Sequence, residues 1–367
     1  MEKPALAGIS LSEIEKILSP LPRFRAFQIY KWIIRGVSGF EQMTDIPVSM
    51  RQELQNRFVL YSSKIDSCHA DKGTKKIIVT LNDGLKIEAV LLSDNKQRYT
   101  ACLSTQAGCP VGCVFCKTGS LKFSRNLYSS EIIEQFFHLC MLKNIKPPNT
   151  IQDSQNTTEL QCGAAEKDNS YRLLDNIVIM GMGEPLFNMT NLREAVSIFT
   201  DSAGINFSRR RITVSTCGIC DSMFDIAENG PFIRLALSLT TADENLRQKL
   251  IPASKTNPLK KIKEALILFQ QNGGGRITLE IPLLGQINTR DKDALLIAEF
   301  AKGINSAVNI IPWNPVAGLE FEGKPLIEPE KKEIDAFIKK LEECGLKVIK
   351  RLGKGRRVSG ACGQLGA

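Results

Sequence analysis

The chain has 367 residues, 43% of them hydrophobic, and a net charge of +9. This length allows a full hydrophobic core, and the basic charge suits contact with a polyanion, although a solvated basic surface would give the same value. No signal peptide or membrane-length apolar segment is present, which predicts a cytoplasmic protein without a membrane partner. The 11 cysteines are an odd number, which argues against a secreted disulfide framework and favours metal or catalytic use.

The first part of the chain has apolar residues at helical spacing, such as Phe27, Tyr30 and Ile34. This spacing predicts a small N-terminal helical domain over residues 1–65. Residues 66–98 are predicted to form a linker and a β-hairpin, because Asn82, Asp83 and Gly84 are typical of a hairpin turn between two alternating strands.

Residues 99–352 alternate short apolar runs with helical stretches, and strands are predicted at 100–104, 176–180, 211–216, 234–239, 276–284 and 308–313. Strand–helix alternation predicts an α/β fold with a parallel sheet. Six units indicate a partial (β/α)6 TIM-like barrel, whose reactive groups lie just beyond the carboxyl ends of the strands. A polar insertion is predicted at 146–170, and the glycine-rich, basic residues 353–367 predict a mobile C-terminal tail.

Cys109, Cys113 and Cys116 form a CxxxCxxC motif in GCPVGCVFC, directly after the first core strand. Three thiolates can hold an iron–sulfur cubane and leave one iron open for a further ligand. Structural zinc is the alternative, but it normally requires a fourth ligand, and neither His69 nor His138 lies near this loop in the sequence. The motif therefore favours a cluster.

Three further strings accompany the motif: Cys102 in CLSTQAGC, GMGEPLFN at 181–188 and SGACGQL at 359–365. A dinucleotide loop is a poor interpretation of the second string, since Leu186 stands where GxGxxG requires glycine. From about Met43 to the end, the chain resembles the RlmN/Cfr branch of the radical S-adenosylmethionine (SAM) superfamily, which methylates adenine in rRNA. The resemblance implies a radical SAM barrel with a [4Fe-4S] cluster on the three motif cysteines.

The resemblance also implies a set of SAM contacts: Gly183, Glu184, Ser215, Ser238, Leu239, Thr240 and Asn314. All of them fall at predicted carboxyl ends of strands, as the barrel rule requires. The family usually has SLHA where this chain has Ser238, Leu239, Thr240 and Thr241. A hydroxyl or a backbone contact would then replace the histidine at Thr240.

The resemblance implies that Cys362 takes a methyl group from one SAM, since a thiolate suits direct displacement. A second SAM then supplies the radical that activates this methyl group for addition to an adenine carbon. Cys102 is implied to form a transient disulfide with Cys362 that releases the product, and Glu88 to accept the adenine proton. For Glu88, a strand carboxylate in a surface ion pair is the alternative interpretation.

The sequence leaves three functions open. The first is formation of 2-methyladenosine at adenine 2503 of 23S rRNA, with adenine 37 of tRNA as a candidate second substrate, which MTDIP at 43–47 favours by association. The second is Cfr-type methylation of carbon 8, which confers antibiotic resistance, and the third is a non-catalytic iron–sulfur or zinc RNA-binding protein. RNA contact is predicted through the N-terminal helices and residues 347–357, with an electron donor such as flavodoxin and a monomeric chain.

Overall fold

A computed structural model of the chain describes residues 3–142, 174–351 and 353–366. The predicted polar insertion at 146–170 lies outside these residues. Among the described helices, none combines the length and the apolar character needed to cross a membrane.

The N-terminal region is helical, as its periodicity predicted. Ser10 begins the first helix with a capping box: its hydroxyl accepts the N–H of Glu13, whose carboxylate accepts the N–H of Ser10. Ile14, Ile29 and Ile33 are fully buried and join the described helices to one core. The helices of the described residues are α1 (Leu11–Ile17), α2 (Arg23–Ile34), α3 (Val48–Arg57), α4 (Ser129–Leu142), α5 (Met189–Thr200), α6 (Cys220–Asn229), α7 (Glu244–Leu250), α8 (Leu259–Gln271), α9 (Asp291–Ala301) and α10 (Lys331–Glu343).

The strands of the described residues are β1 (Lys64–Asp71), β2 (Thr74–Thr80), β3 (Lys86–Ser93), β4 (Tyr99–Cys102), β5 (Gln106–Ala107), β6 (Arg125–Asn126), β7 (Asn176–Ile179), β8 (Ile212–Thr216), β9 (Arg234–Ser238), β10 (Ile277–Leu283), β11 (Ser306–Pro312), β12 (Glu320–Phe321), β13 (Lys324–Pro325) and β14 (Val348–Lys350). The hairpin and the six core strands predicted from the sequence are confirmed, with ends that differ by one or two residues.

One open sheet organises the described residues, with ten strands in the order β1-β2-β3-β4-β7-β8-β9-β10-β11-β14. In this sheet the seven strands β4, β7, β8, β9, β10, β11 and β14 are parallel to one another, whereas β1, β2 and β3 extend the sheet antiparallel. The partial six-unit barrel is thus confirmed at its centre and lengthened at both ends. The sequence did not reveal β14, which is only three residues long.

The two faces of the parallel sheet differ in chemistry because side chains alternate along each strand. One face is apolar and almost completely buried: Ile177, Ile212, Val214, Leu235, Leu237, Leu279, Ile281, Val308 and Ile310. The cross-strand register places polar and small side chains together on the opposite face: Cys102, Thr213, Ser215, Ser238, Glu280 and Asn309. The polar face is therefore the place to look for a site.

The C-terminal segment (residues 353–366) is docked in the structure, whereas its glycine content predicted a mobile tail. Leu365 is buried, and its carbonyl accepts a hydrogen bond from the hydroxyl of Thr118 at 2.6 Å. The Lys354 ammonium donates to the carbonyl of Ser93 at 2.7 Å. These contacts outweigh the local glycine preference, because a buried leucine and paired backbone groups both stabilise the docked state.

Candidate active site

The CxxxCxxC loop follows β5 at the carboxyl end of β4, where the barrel rule placed it. Burial raises the pKa of Cys109 to about 12, and it raises the pKa of Cys113 well above the usual value. The nearby Cys116 thiol adds to both shifts, so the three cysteines are close neighbours. Such thiols ionise when a cation balances their charge, which is the behaviour expected of metal ligands.

Three hydrogen bonds hold this loop to separate parts of the fold: Val114 N–H to the Leu250 carbonyl at 3.1 Å, Trp313 Nε1–H to the Phe115 carbonyl at 2.8 Å, and Lys117 N–H to the Gly363 carbonyl at 2.8 Å. The end of α7, the end of β11 and the C-terminal segment therefore all support the loop. Within the described residues, no three His, Cys, Asp or Glu side chains converge at the spacing of a single metal ion.

The GMGE turn after β7 is packed tightly against residues 104–106. Gly183 has φ +100°, and a Cβ atom there would lie 2.5 Å from the Cβ of Gln106. A Cβ on Gly181 would lie 2.5 Å from the Ser104 hydroxyl. Only glycine fits these two positions, and the turn can therefore bring backbone close to a ligand.

Glu184 follows this turn and is 4% exposed. Its two carboxylate oxygens accept the N–H groups of Leu186 at 3.0 Å and Cys217 at 2.8 Å. Burial raises the pKa of Glu184, and these hydrogen bonds oppose the rise. The carboxylate is held in one orientation at the carboxyl end of β7.

Ser215 and Ser238 lie on the polar face, beside a carboxylate that the sequence did not single out. Glu280 stands directly opposite Ser238 in the register, and its carboxylate accepts a hydrogen bond from Ser215 at 3.4 Å. Asn309 occupies the next strand at the same level. Burial raises the pKa of Glu280, and the guanidinium of Arg351 opposes this shift.

Leu239 and Thr240 are both fully buried after β9. Thr240 has a left-handed backbone with φ +63°. Its N–H donates to the carbonyl of Glu280 at 3.2 Å, and its carbonyl accepts from Asn288 at 2.8 Å. The Thr240 hydroxyl has no partner among the described residues, so it is a polar group still open to a ligand contact.

Cys362 lies in the C-terminal segment, with its backbone carbonyl bonded to the side-chain amide of Asn314 at 2.9 Å. Part of the residue is accessible to solvent, but burial of the thiol raises its pKa well above the usual value. The charges of Glu280, Cys116 and Cys102 add to this rise. Cys102 and the cluster-loop residue Cys116 are thus close enough to Cys362 to act on it electrostatically.

Cys102 ends β4 on the polar face and is buried, which raises the pKa of its thiol to about 12. Cys102 and Cys362 are both free thiols in the structure. The charge of Cys102 adds to the rise in the pKa of Cys362, which agrees with an exchange partnership, because a disulfide requires two thiols that can reach each other.

Glu88 is 3% exposed and lies on β3, so the alternative of a surface ion pair is wrong. One carboxylate oxygen is 2.7 Å from the ammonium of Lys76, whose side chain is 9% exposed. The other oxygen accepts the N–H of Gly366 at 2.8 Å. The C-terminal segment, which carries Cys362, thus also contacts Glu88.

Two comparisons of sequence bear on this arrangement. Residues 103–297 match the radical SAM superfamily, and residues 6–60 match the ribosomal RNA large subunit methyltransferase N-terminal domain. The chain is 44% identical to the probable dual-specificity RNA methyltransferase RlmN of Treponema denticola, over 100% of this chain and 96% of that protein. The chain belongs to the RlmN family of radical SAM methyltransferases.

Other RlmN-family proteins and one crystal structure agree. The dual-specificity RNA methyltransferase RlmN of Nitratiruptor sp. is 36% identical over 94% of this chain and 93% of its own length. A radical SAM methyltransferase from Sphaerobacter thermophilus has a TM-score of 0.86 and 32% identity, with 99% of both chains covered. Full-length similarity means that the N-terminal helices and the C-terminal segment belong to the shared architecture.

RlmN-family membership implies a [4Fe-4S] cluster and SAM, and the residues present fit them. Arg247 on α7 is completely buried, and its Nε and Nη1 atoms have no partner among the described residues. Its charge acts on the thiols of Cys113 and Cys217. A buried, partly unpaired cation beside a cluster ligand suits an anionic iron–sulfur group, which offers both charge and sulfur acceptors.

The structure thus gathers most of the predicted site residues on one side of the sheet, but it gives Asn314 a second task. The amide of Asn314 holds the C-terminal segment through Cys362 and Arg356. Sequence reasoning missed Lys76, Arg247 and Glu280. A strand lysine, a helical arginine and a strand glutamate carry no motif, and only their burial distinguishes them.

Proposed function

We propose that this protein methylates carbon 2 of adenine in RNA, with adenine 2503 of 23S rRNA as substrate and adenine 37 of tRNA as a second one. The observation that carries the proposal is the docking of the C-terminal segment on the cluster loop: the N–H of Lys117, next to Cys116, donates to the carbonyl of Gly363, next to Cys362, at 2.8 Å. The relatives named above as dual-specificity RNA methyltransferases support the RNA substrate.

Each site residue has a task in this proposal. Cys109, Cys113 and Cys116 hold the cluster, which with SAM supplies a 5′-deoxyadenosyl radical when bound. Gly183, Glu184, Ser215, Ser238, Leu239, Thr240 and Asn314 form the SAM-binding side of the polar face. Ring carbons of adenine are poor nucleophiles, so ordinary transfer from SAM is inadequate and a radical route is required.

Cys362 is the methyl carrier in this proposal. Its thiolate displaces the methyl group from one SAM, forming an S–CH3 bond as the S–CH3 bond of SAM breaks. After the methyl carbon is joined to adenine, Glu88 accepts the proton of the substituted ring carbon. Cys102 then attacks the sulfur of Cys362, so that the S–S bond forms as the bond from that sulfur to the methylene carbon breaks. The released carbon takes a proton to become the methyl group of the RNA, and the one electron left over would return to the cluster that supplied it.

RNA contact is assigned to the N-terminal helical domain, residues 1–65, and to the basic stretch 347–357. Helix α2 presents Phe24, which is 56% exposed, with the Arg25 guanidinium 4.8 Å from its ring centre. The Lys31 ammonium lies 4.4 Å from the ring centre of Phe27. Alternating aromatic rings and cations can stack on bases and contact phosphates. A monomer in the cytoplasm, reduced by a donor such as flavodoxin, completes the proposal.

The test is anaerobic reconstitution with iron and sulfide, followed by SAM, reductant and unmodified 23S rRNA, with methyladenosine isomers read by mass spectrometry. The 2-methyl isomer supports the proposal, and the 8-methyl isomer replaces carbon 2 with carbon 8. A loaded cluster that gives neither isomer overturns it. Cys362→Ala should abolish methylation, whereas the matched Cys344→Ala, which removes an exposed cysteine at the end of α10, should leave it unchanged.

A further inference from the structure

Among the described residues, the Glu88 carboxylate has one partner in the sheet itself, the ammonium of Lys76. Lys76 lies on β2 and Glu88 on β3, and the register pairs Lys76 with Val90 and Ile78 with Glu88. The two charged side chains therefore project from the same face of adjacent strands and are diagonal neighbours, two residues apart in the register. The 2.7 Å ion pair between them is almost completely buried.

The backbone around Glu88 is fixed from two further directions. The Ser104 hydroxyl donates to the carbonyl of Glu88 at 2.6 Å, and the N–H of Glu88 contacts the sulfur of Met182 at 3.3 Å. Ser104 also accepts the N–H of Met182 at 2.8 Å, which joins β3 to the GMGE turn. The strand position of Glu88 is thus rigid, and the direction of its carboxylate depends on its side-chain partners.

The second partner of the carboxylate is removable. Gly366 donates its N–H to the other oxygen at 2.8 Å, and this residue belongs to the docked C-terminal segment. The same segment covers the ion pair, since a Cβ on Gly360 would lie 3.6 Å from the side chains of Lys76 and Val90. A substrate base can reach the carboxylate only when the end of this segment moves away.

We propose that Lys76 is a positioning residue for Glu88: its ammonium holds one carboxylate oxygen, and the oxygen that now accepts the Gly366 N–H is the one that receives the adenine proton. The proposal rests on the role of Glu88 in the proposed function. In that step the C–H bond of the substituted adenine carbon breaks, its electron pair returns to the ring, and the proton passes to the freed oxygen. The ion pair with Lys76 keeps the carboxylate aimed at the substrate until the proton arrives.

The chemistry predicts a specific defect when Lys76 is replaced. Steps before proton transfer use Cys362, the cluster and SAM, so they should proceed in Lys76→Met. The RNA adduct on Cys362 should then persist, because it cannot lose its proton to a misdirected carboxylate. Lys76→Arg should retain most of the activity, since its guanidinium also donates to a carboxylate.

The experiment compares wild type, Lys76→Met, Lys76→Arg and Glu88→Gln in the reconstituted assay. The matched control is Lys86→Met, which removes a surface ion pair with Asp66 on the same hairpin. Iron content should match wild type in every variant, and so should S-methylation of Cys362 and the 5′-deoxyadenosine formed in a single turnover. Lys76→Met should release methyladenosine about 100-fold more slowly, as expected for loss of a general base, and should accumulate a covalent protein–RNA band on a denaturing gel.

A double variant separates positioning from a merely structural role. If Lys76 acts through Glu88, adding Lys76→Met to Glu88→Gln causes no further loss of product release. An additive loss, or wild-type release by Lys76→Met without a covalent band, overturns the proposal. Should Lys76→Met fail to take up the cluster, Lys76→Gln repeats the same comparison with a neutral donor. A wild-type protein that forms no methyladenosine contradicts the proposed function instead.

Discussion

The side-chain amide of Asn314 donates a hydrogen bond to the backbone carbonyl of Cys362 at 2.9 Å, while its oxygen accepts from Arg356 at 2.7 Å. Asn314, two residues after β11, thus holds the C-terminal segment at two points: at Arg356, which begins a 3-10 turn (Arg356–Val358), and at Cys362 beyond that turn. The position of the reactive thiol depends on this grip, because the segment has little regular structure of its own.

Asn314→Ala should therefore loosen the C-terminal segment. Loss of each of these two hydrogen bonds costs ~1 kcal/mol, and the two together amount to about a 30-fold change in the docked population. Trypsin cleavage after Lys354, Arg356 and Arg357 should accelerate by that factor, and S-methylation of Cys362 should slow. Limited proteolysis followed by mass spectrometry measures both effects.

The control is Asn272→Ala, which removes a similar amide-to-carbonyl bond of 3.0 Å at the end of α8, outside the site. It should leave the trypsin rate unchanged. Equal cleavage of wild type and Asn314→Ala would show that Asn314 does not hold the segment.

Two glycines with a similar backbone φ allow the effect of close packing on stability to be separated from the effect of φ. Gly183 and Gly273 have nearly the same φ, +100° and +101°, but a Cβ on Gly183 would meet Gln106 at 2.5 Å, whereas one on Gly273 would meet nothing within 4 Å. Gly273→Ala should cost ~1–2 kcal/mol of unfolding free energy from backbone strain alone. Gly183→Ala should cost ~1–3 kcal/mol more from overpacking, and it should weaken SAM binding.

Urea denaturation and SAM titration of the two variants measure these differences. Equal destabilisation would mean that the turn can relax away from Gln106. Retained SAM affinity in Gly183→Ala would remove Gly183 from the proposed cofactor contacts.

The sequence predicted the parts of the fold that have a periodic or motif signal. The six core strands, the hairpin and the placement of the cysteine loop after β4 follow from alternation and from the barrel rule. The docking of the C-terminal segment was not predictable, because glycines near Cys362 favour mobility locally while Leu365 and distant partners such as Asn314 hold it. The ion pair of Lys76 and Glu88 was missed since cross-strand pairing is set by register, which one sequence does not reveal.

A buried histidine makes the stability of the fold depend on pH. Burial lowers the pKa of His138 to about 4, and its Nε2 is 3.0 Å from the Ser63 hydroxyl. The unfolded chain binds a proton at this residue below pH ~6.5, whereas the folded chain does not until pH falls further. Stability should therefore fall as pH falls through this window, by ~2 kcal/mol between pH 7 and pH 5.

Glu134 has the opposite effect on stability at acidic pH. Its carboxylate accepts the N–H of Ser63, and burial raises its pKa, so protonation of this group favours the folded state as pH falls. The comparison with His138→Gln isolates the histidine because Glu134 is present in both proteins. Urea denaturation at pH 7 and pH 5 should show the extra acid loss in wild type and in His69→Gln, but not in His138→Gln. An acid loss that persists in His138→Gln would assign it elsewhere.

Arg247 is expected to set the reduction potential of the cluster. Its guanidinium is completely buried, lies near Cys113, and has two nitrogen atoms without a partner among the described residues. A nearby cation stabilises the reduced cluster, which carries one more negative charge, and an interaction of ~1–2 kcal/mol corresponds to ~40–90 mV for one electron. Arg247→Met should lower the potential by this amount, whereas Arg247→Lys should preserve most of it. A redox titration followed by electron paramagnetic resonance, with iron content matched between variants, measures the shift. An unchanged potential in Arg247→Met would mean that the arginine has only a structural role, through its hydrogen bond from α7 to the Cys217 carbonyl.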